Sequence, residues 1–175
     1  MNNEPVLYRM KILIIDDEPV NVAVLEDILK ESGYTKIHTL TDSRQTISTC
    51  ADLDPDMILL DLMMPYVDGF TILEGIRASN AMGGFLPVLI LTADMSQETK
   101  RRALKCGATD FLLKPFDQIE VLLRIHNLLQ WRKSHLLLDN QRAALEEVVR
   151  ERTEQLRATI TELQKAAHHI AAQTI

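Results

Sequence analysis

Asp16-Asp17, Asp61, Thr92 and Lys114 each stand directly behind a short apolar run: KILII (11–15), MILL (57–60), VLIL (88–91) and FLL (111–113). Short apolar runs bounded in this way read as buried strands of a parallel sheet. In open α/β sheets, ligands sit at the carboxyl ends of such strands. Three carboxylates, a hydroxyl and an ammonium would then meet in one crevice. Like charges that close raise one another's pKa unless a cation is present. A set of oxygen ligands suits Mg²⁺ or Mn²⁺, and the lack of a neighbouring His or Cys speaks against zinc. Lys114 and Thr92 supply the positive charge and the hydrogen bond that a phosphoryl group requires. One carboxylate could act as nucleophile and form an acyl phosphate. A lone Asp pair or a lone Lys-Pro after a strand is a weak signal, since both are common in turns. Four such endings on four core strands are a pattern.

The elements that would carry these residues alternate. Residues 19–33 (PVNVAVLEDILKESG) place Val20, Val24, Leu25, Ile28 and Leu29 at helical spacing, with Pro19 at the start and Gly33 at the stop. KIHTL (36–40) reads as a strand and 43–53 as a weak helix. Strand 57–61 precedes a turn at PYVDG (65–69) and a helix over 70–79. A loop, NAMGGF (80–85), leads to strand 88–91, a helix over 96–107 closed by Gly107, and strand 110–113. A fifth helix over 117–130 shows Ile119, Leu122, Leu123, Ile125 and Leu129 mostly on one face. Five β–α pairs in strict alternation predict an α/β fold, a doubly wound parallel sheet with helices on both faces.

From Phe116 to Ile175 there is neither proline nor glycine, so nothing stops the fifth helix. Val149, Leu156, Leu163 and Ile170 repeat every seven residues, and Thr153, Ile160 and Ala167 fall four after the first three. These are the d and a positions of a heptad seam with charged flanks. Residues 131–175 are therefore expected to be a long C-terminal helix, a coiled-coil linker that forms a homodimer.

Composition narrows the function. The formal charge is −6. Residues 1–130 hold 12 Lys+Arg against 19 Asp+Glu (12 − 19 = −7), and residues 131–175 hold 7 against 6 (7 − 6 = +1). That balance argues against direct nucleic-acid binding and against an anionic membrane surface. No apolar stretch approaches the roughly 20 residues that span a bilayer, and MNNEPVLYRMKILII lacks a signal peptide's basic start. Cys50 and Cys106 share no metal or CxxC spacing and read as buried free thiols of a cytoplasmic protein. His126, His135 and the adjacent pair His168-His169 lie in helical surroundings. Adjacent residues point about 100° apart on a helix, so the pair reads as solvated or packed rather than as a metal site.

IIDDEP, LLDLMMPYVDGF, LILTA and GATDFLLKPF, in this order and spacing, resemble the signature segments of the receiver domain of two-component response regulators. The resemblance covers residues 9–130. It implies a flavodoxin-like (βα)5 sheet in the order 2-1-3-4-5, and it implies Asp61 as phosphoacceptor. Asp17 and Asp61 would bind Mg²⁺ directly, Asp16 through water, and the Met63 carbonyl would complete the protein ligands. Lys114 and Thr92 would hold the phosphoryl oxygens, Ala93 would leave the approach open, and Phe111 would follow Thr92 inward. The Lys114-Pro115 bond would be cis. Tyr66 departs from the family, which usually has glycine there.

The resemblance also implies partners. The donor would be a sensor histidine kinase or phosphotransfer protein, and the output face would be the fourth helix, fifth strand and fifth helix. The segment LEEVVRERTEQLRATITELQKA is similar to linkers that join receivers to HD-GYP phosphodiesterase, diguanylate cyclase or kinase domains. The chain itself would not be an enzyme. Two other functions compete: a DNA-binding regulator, disfavoured because no helix-turn-helix punctuation follows residue 130, and a metal-dependent aspartyl-phosphate phosphatase, disfavoured because no cap or substrate pocket is legible.

Overall fold

The computed structural model describes residues 4–79, 85–94 and 96–173. Apart from Phe85, the expected loop at 80–85 lies outside the described residues, as do the side chains of Ala167, His168, His169 and Ile170. Two compact units divide the chain, Met1–His135 and Leu136–Ile175.

In the first unit, β1 (Ile12–Ile15), β2 (Ile37–Leu40), β3 (Met57–Asp61), β4 (Val88–Thr92) and β5 (Asp110–Leu113) form one sheet in the order β2-β1-β3-β4-β5. All four pairings are parallel. β1, β3 and β4 are buried at every residue, as expected of strands covered on both faces. Leu13, Ile15, Ile58, Leu60, Val88 and Ile90 pack on one face with Cys50 of α3 (Thr46–Leu53), Leu73 and Ile76 of α4 (Gly69–Ala78) and Ala103 of α5 (Gln97–Lys105). The alternate residues Ile12, Ile14, Met57, Leu59, Leu89 and Leu91 are equally buried on the other face. Left for that face are α2 (Pro19–Glu31) and α6 (Gln118–Gln173).

Register sets the site. Ile15 lies opposite Leu60, so Asp16 and Asp61 come level at the ends of neighbouring strands. Thr92 lies opposite Leu113, which brings Lys114 to the same end one strand further on. A slip of one residue would turn these groups to the other face.

Several sequence expectations need correction. In α2 the buried stripe is Val22, Leu25 and Leu29, whereas Val20 and Val24 face solvent. In α6, Val121, Ile125, Leu128 and Leu129 are buried, whereas Ile119 and Leu123 are exposed. Both helices show two apolar stripes, and only tertiary packing selects the core one. Cys50 is buried as expected, and burial pushes its thiol up to about 11. Cys106 is only half-buried, with its Sγ 3.2 Å from Glu74 Oε1. The second helix begins as a 3-10 turn, Ser43–Gln45, before α3. A further element, α1 (Glu4–Leu7), is too short to carry a periodicity. It buries Leu7 and leads to Tyr8, whose ring meets Tyr34 edge-on at 5.1 Å.

Arg132 is the last buried residue of α6 within the first unit, at 5% exposure. It donates from Nη1 to the Phe85 carbonyl at 2.8 Å, and its Nε lies 3.9 Å from Asp56 Oδ1. Asp56 in turn accepts the Lys11 backbone N–H at 2.8 Å. The Phe85 ring lies 4.7 Å from that of His135. Beyond it, in the second unit, Leu137, Leu138, Leu145, Val149, Leu156, Ile160 and Leu163 are all more than half exposed. Ion pairs Arg142–Glu146 (2.8 Å) and Arg150–Glu147 (2.5 Å) run along the same helix.

Removing the buried guanidinium leaves the Phe85 carbonyl short of a donor and takes a positive charge away from Asp56. Arg132→Ala is expected to lower stability by about 2–3 kcal/mol, read as a lower denaturation midpoint in urea. An unchanged midpoint would show that the guanidinium anchors nothing.

Candidate functional site

Asp16 and Asp61 are nearly inaccessible, at 0% and 4% exposure, and Asp17 beside them is half-buried. One ligand oxygen from each of the three lies within 4.8 Å of the others. Lys114 Nζ reaches Asp16 Oδ2 at 2.7 Å and Asp61 Oδ1 at 3.3 Å. Asp16 is fixed further by the Glu18 backbone N–H at 2.9 Å and by Asn21 Nδ2 at 3.2 Å from both carboxylate oxygens. A cleft of about 500 Å³ opens over this cluster, lined by Asp17, Glu18, Asn21, Asp61, Met63, Ala93, Lys114 and Pro115. The Lys114-Pro115 peptide is cis, as expected.

Burial is the main reason that the Asp61 pKa lies above the ordinary carboxylate value. Lys114 opposes the rise and Asp16 reinforces it. Burial also works against the Lys114 charge, but the hydrogen bond to Asp16 and the field of both carboxylates outweigh it, so its pKa is raised. Three carboxylates against one ammonium leave the cluster two charges short of neutrality. An all-oxygen set with that deficit, under an open cleft with room for water, fits a divalent cation such as Mg²⁺.

The loop after β3 is shaped by a close approach. A Cβ on Gly69 would land on the Asp61 carbonyl oxygen and 2.7 Å from Leu62 Cα, so only glycine lets α4 begin against the strand that carries Asp61. Asp68 caps that helix, accepting from the Thr71 N–H at 3.0 Å. Tyr66 takes a left-handed φ of +70°, and the Arg44 guanidinium stacks 4.4 Å above its ring. Glycine tolerates such a φ freely, whereas tyrosine is strained there.

Not every expected residue faces the cleft. The Thr92 hydroxyl is turned onto the β4–α5 loop, donating to the Asp94 carbonyl and accepting the Asp94 N–H, both at 3.0 Å. Phe111 is half-buried against the apolar core. Glu18, Asn21 and Gly69 also shape the site, although no local pattern in the sequence marks them for it. Asn21 follows Asp16 by five residues, and only the turn into α2 brings its amide back to that carboxylate.

A raised Asp61 pKa means that its ionised form costs stability above that pKa, and the cost disappears as pH falls through it. In metal-free protein, Asp61→Asn should therefore raise Tm at pH 7, with a gain that shrinks as pH approaches 3.8. A gain that grows on acidification would reverse the assigned sign. Gly69→Ala must displace the β3 backbone and is expected to cost about 2–3 kcal/mol or more, measured by urea denaturation; wild-type stability would mean that the loop yields without strain.

Comparison with known proteins places this geometry. The response regulator receiver domain family matches residues 12–126. The DNA-binding dual master transcriptional regulator RpaA of Synechocystis sp. is 38% identical over 120 residues, covering 69% of this chain and 49% of that protein. The alkaline phosphatase synthesis transcriptional regulatory protein PhoP of Bacillus subtilis is 36% identical, covering 69% and 48%. The chain thus spans about half the length of these relatives. Among solved structures, a putative response regulator from Chloroflexus aurantiacus superposes with a TM-score of 0.65 at 29% identity, covering 70% of this chain and 98% of that one. The receiver domain of sensor histidine kinase PA1611 from Pseudomonas aeruginosa, solved with a magnesium ion in its active-site cleft, superposes at 0.62 and 30% identity over 70% and 98%. A fold in the order 2-1-3-4-5, an acidic cleft at the strand ends and a match over most of the first unit agree: the chain belongs to the response regulator receiver domain family.

Proposed function

We propose that Asp61 accepts a phosphoryl group from a sensor histidine kinase or phosphotransfer protein, with Mg²⁺, within a receiver domain spanning residues 9–130. The observation that carries this reading is the buried pair Asp16 and Asp61 sharing Lys114 beneath an open cleft. A carboxylate oxygen of Asp61 attacks phosphorus in line. The P–N bond of the donor phosphohistidine breaks, its electron pair leaves with the imidazole, and the new O–P bond completes an acyl phosphate. Asp17, Asp61 and the Met63 carbonyl would hold Mg²⁺, with Asp16 acting through water, and the ion would offset charge on the phosphoryl oxygens.

The chain's own residues do the rest. Lys114 exchanges a contact with Asp16 or Asp61 for the phosphoryl oxygens. Ala93, which lines the cleft, leaves the approach unobstructed. Thr92 leaves the Asp94 backbone to donate to the same group, and Phe111 follows inward. Phosphorylation then shifts a two-state equilibrium at the face of α5, β5 and α6, where Leu104, Leu113, Ile119 and Leu123 stand exposed. Residues 131–175 carry the change as a coiled-coil linker between two copies of the chain. After the matched region, residues through Gln173 form one helix, without a helix-turn-helix. The linker-like sequence supports control of an HD-GYP phosphodiesterase or diguanylate cyclase as a second reading of the output.

Acetyl phosphate with Mg²⁺ tests the acceptor. Asp61→Asn should abolish labelling, and Lys114→Ala should reduce it by about tenfold or more. Full labelling of the Asp61→Asn protein would sink the assignment.

A further inference from the structure

The apolar residues of the second unit do not follow one heptad. Leu138 and Leu145 are seven apart, but the step from Leu145 to Leu156 is eleven, as is that from Val149 to Ile160. Seven and eleven make eighteen, the five turns of a straight helix at 3.6 residues each. Val149, Leu156 and Leu163 form a shared row. Upstream, its companion row is Leu138 and Leu145, whereas downstream it is Thr153, Ile160 and Ala167. Continuing the upstream row places Arg152 and Thr159 in the seam. Extending the downstream row backwards places Asp139 and Glu146 there. Either heptad, run the full length, buries charge at a cost that apolar contacts must offset. An eleven-residue step of this kind locally unwinds a left-handed supercoil.

We infer that the second unit pairs in parallel with a second copy of the chain through two seams of different register, which meet at Val149–Arg152, and that this junction is where the pair changes register. The inference rests on the reading that this helix forms the dimer. Residue types argue for the occupant and its direction: β-branched Thr153 and Ile160 at a, with Leu156 and Leu163 at d, favour a parallel two-stranded coil. Leu138, Leu145, Val149, Leu156, Ile160 and Leu163 are each more than half exposed. Twelve such side chains from two copies, at roughly 100 Å² each, supply about 1,200 Å², within the range of a specific interface.

The flanking charges mark the junction as well. Arg150 is already paired with Glu147 on its own helix, whereas Arg142, seven residues before Val149, continues the shared row upstream with its charge held by Glu146. In the downstream register, a parallel pair sets Arg152 of one copy against Arg157 of the other, a like-charge contact beside the register change. The strong shared row therefore holds the pair together, while the residues around Arg152 have two competing arrangements.

Disulfide scanning of the full chain tests this in a Cys50→Ala, Cys106→Ser background checked for wild-type acetyl phosphate labelling. Single cysteines replace residues 145, 146, 149, 152, 153, 156, 159, 160 and 163. The two-seam pair predicts efficient same-residue crosslinks at 145, 149, 153, 156, 160 and 163, and at least about fivefold less at 146, 152 and 159. Beryllofluoride with Mg²⁺ should change the yield at 146, 152 or 153 by about threefold or more and leave 156 and 163 unchanged. A continuous series through 145, 152 and 159, or through 146, 153 and 160, in a chain that sediments as a dimer overturns the junction while the dimer stands. Crosslinks confined to one central position indicate antiparallel pairing and overturn the proposal. A monomer at tens of micromolar with no crosslinks overturns the dimer itself. A two-seam pattern indifferent to beryllofluoride removes the register change.

Discussion

Two carboxylates that are almost out of reach of water, Asp16 and Asp61, share the ammonium of Lys114, and much of the first unit is arranged to make that possible. Burying a carboxylate is tolerable only with hydrogen bonds and opposite charge. The Glu18 N–H, Asn21 and Lys114 meet the demand at Asp16. Asp61 is less well served, and burial leaves its pKa raised. The imbalance is what a divalent cation would correct. Under the proposed function, this excess of negative charge, the shared ammonium and the open cleft would receive a cation and a phosphoryl group.

That cluster depends on sheet register more than on any single contact. Parallel pairing puts the carboxyl ends of β1, β3, β4 and β5 on one edge, and the side-chain period of two decides which residues turn into the cleft. Gly69 completes the frame, because α4 can start against the Asp61 backbone only where no Cβ intervenes. The covered sheet is the rigid part. The groups that must move under the proposed switch, Thr92 and Phe111, sit at the ends of β4 and β5. Among the described residues the Thr92 hydroxyl is held by the Asp94 backbone, and a phosphoryl oxygen can take over the hydrogen bond it donates to the Asp94 carbonyl.

The two units obey different constraints. In the first, apolar side chains are covered by other elements of the same chain. In the second, a glycine- and proline-free helix presents Leu, Ile and Val side chains that no described element covers, with ion pairs along its own surface. Helices of this kind gain stability from a partner rather than from propensity alone. Arg132 marks the end of the first regime, where a buried guanidinium fastens α6 to the Phe85 carbonyl.

By itself the sequence determined the alternation of strands and helices, the four strand-end chemistries and the uninterrupted C-terminal helix. Each is a local property, set by apolar run length, turn residues and the absence of helix breakers. Tertiary structure decided which of two apolar stripes on α2 and α6 faces the core, since Val20 and Ile119 are as apolar as the buried Val22 and Val121. It also decided that Asn21 turns back to Asp16, that Gly69 must be glycine, and that Thr92 faces the loop rather than the cleft. The physical reason is range. Periodicity and turn chemistry act over a few residues, whereas burial, close backbone approach and the sharing of one ammonium depend on segments nearly a hundred residues apart, as Asp16 and Lys114 are.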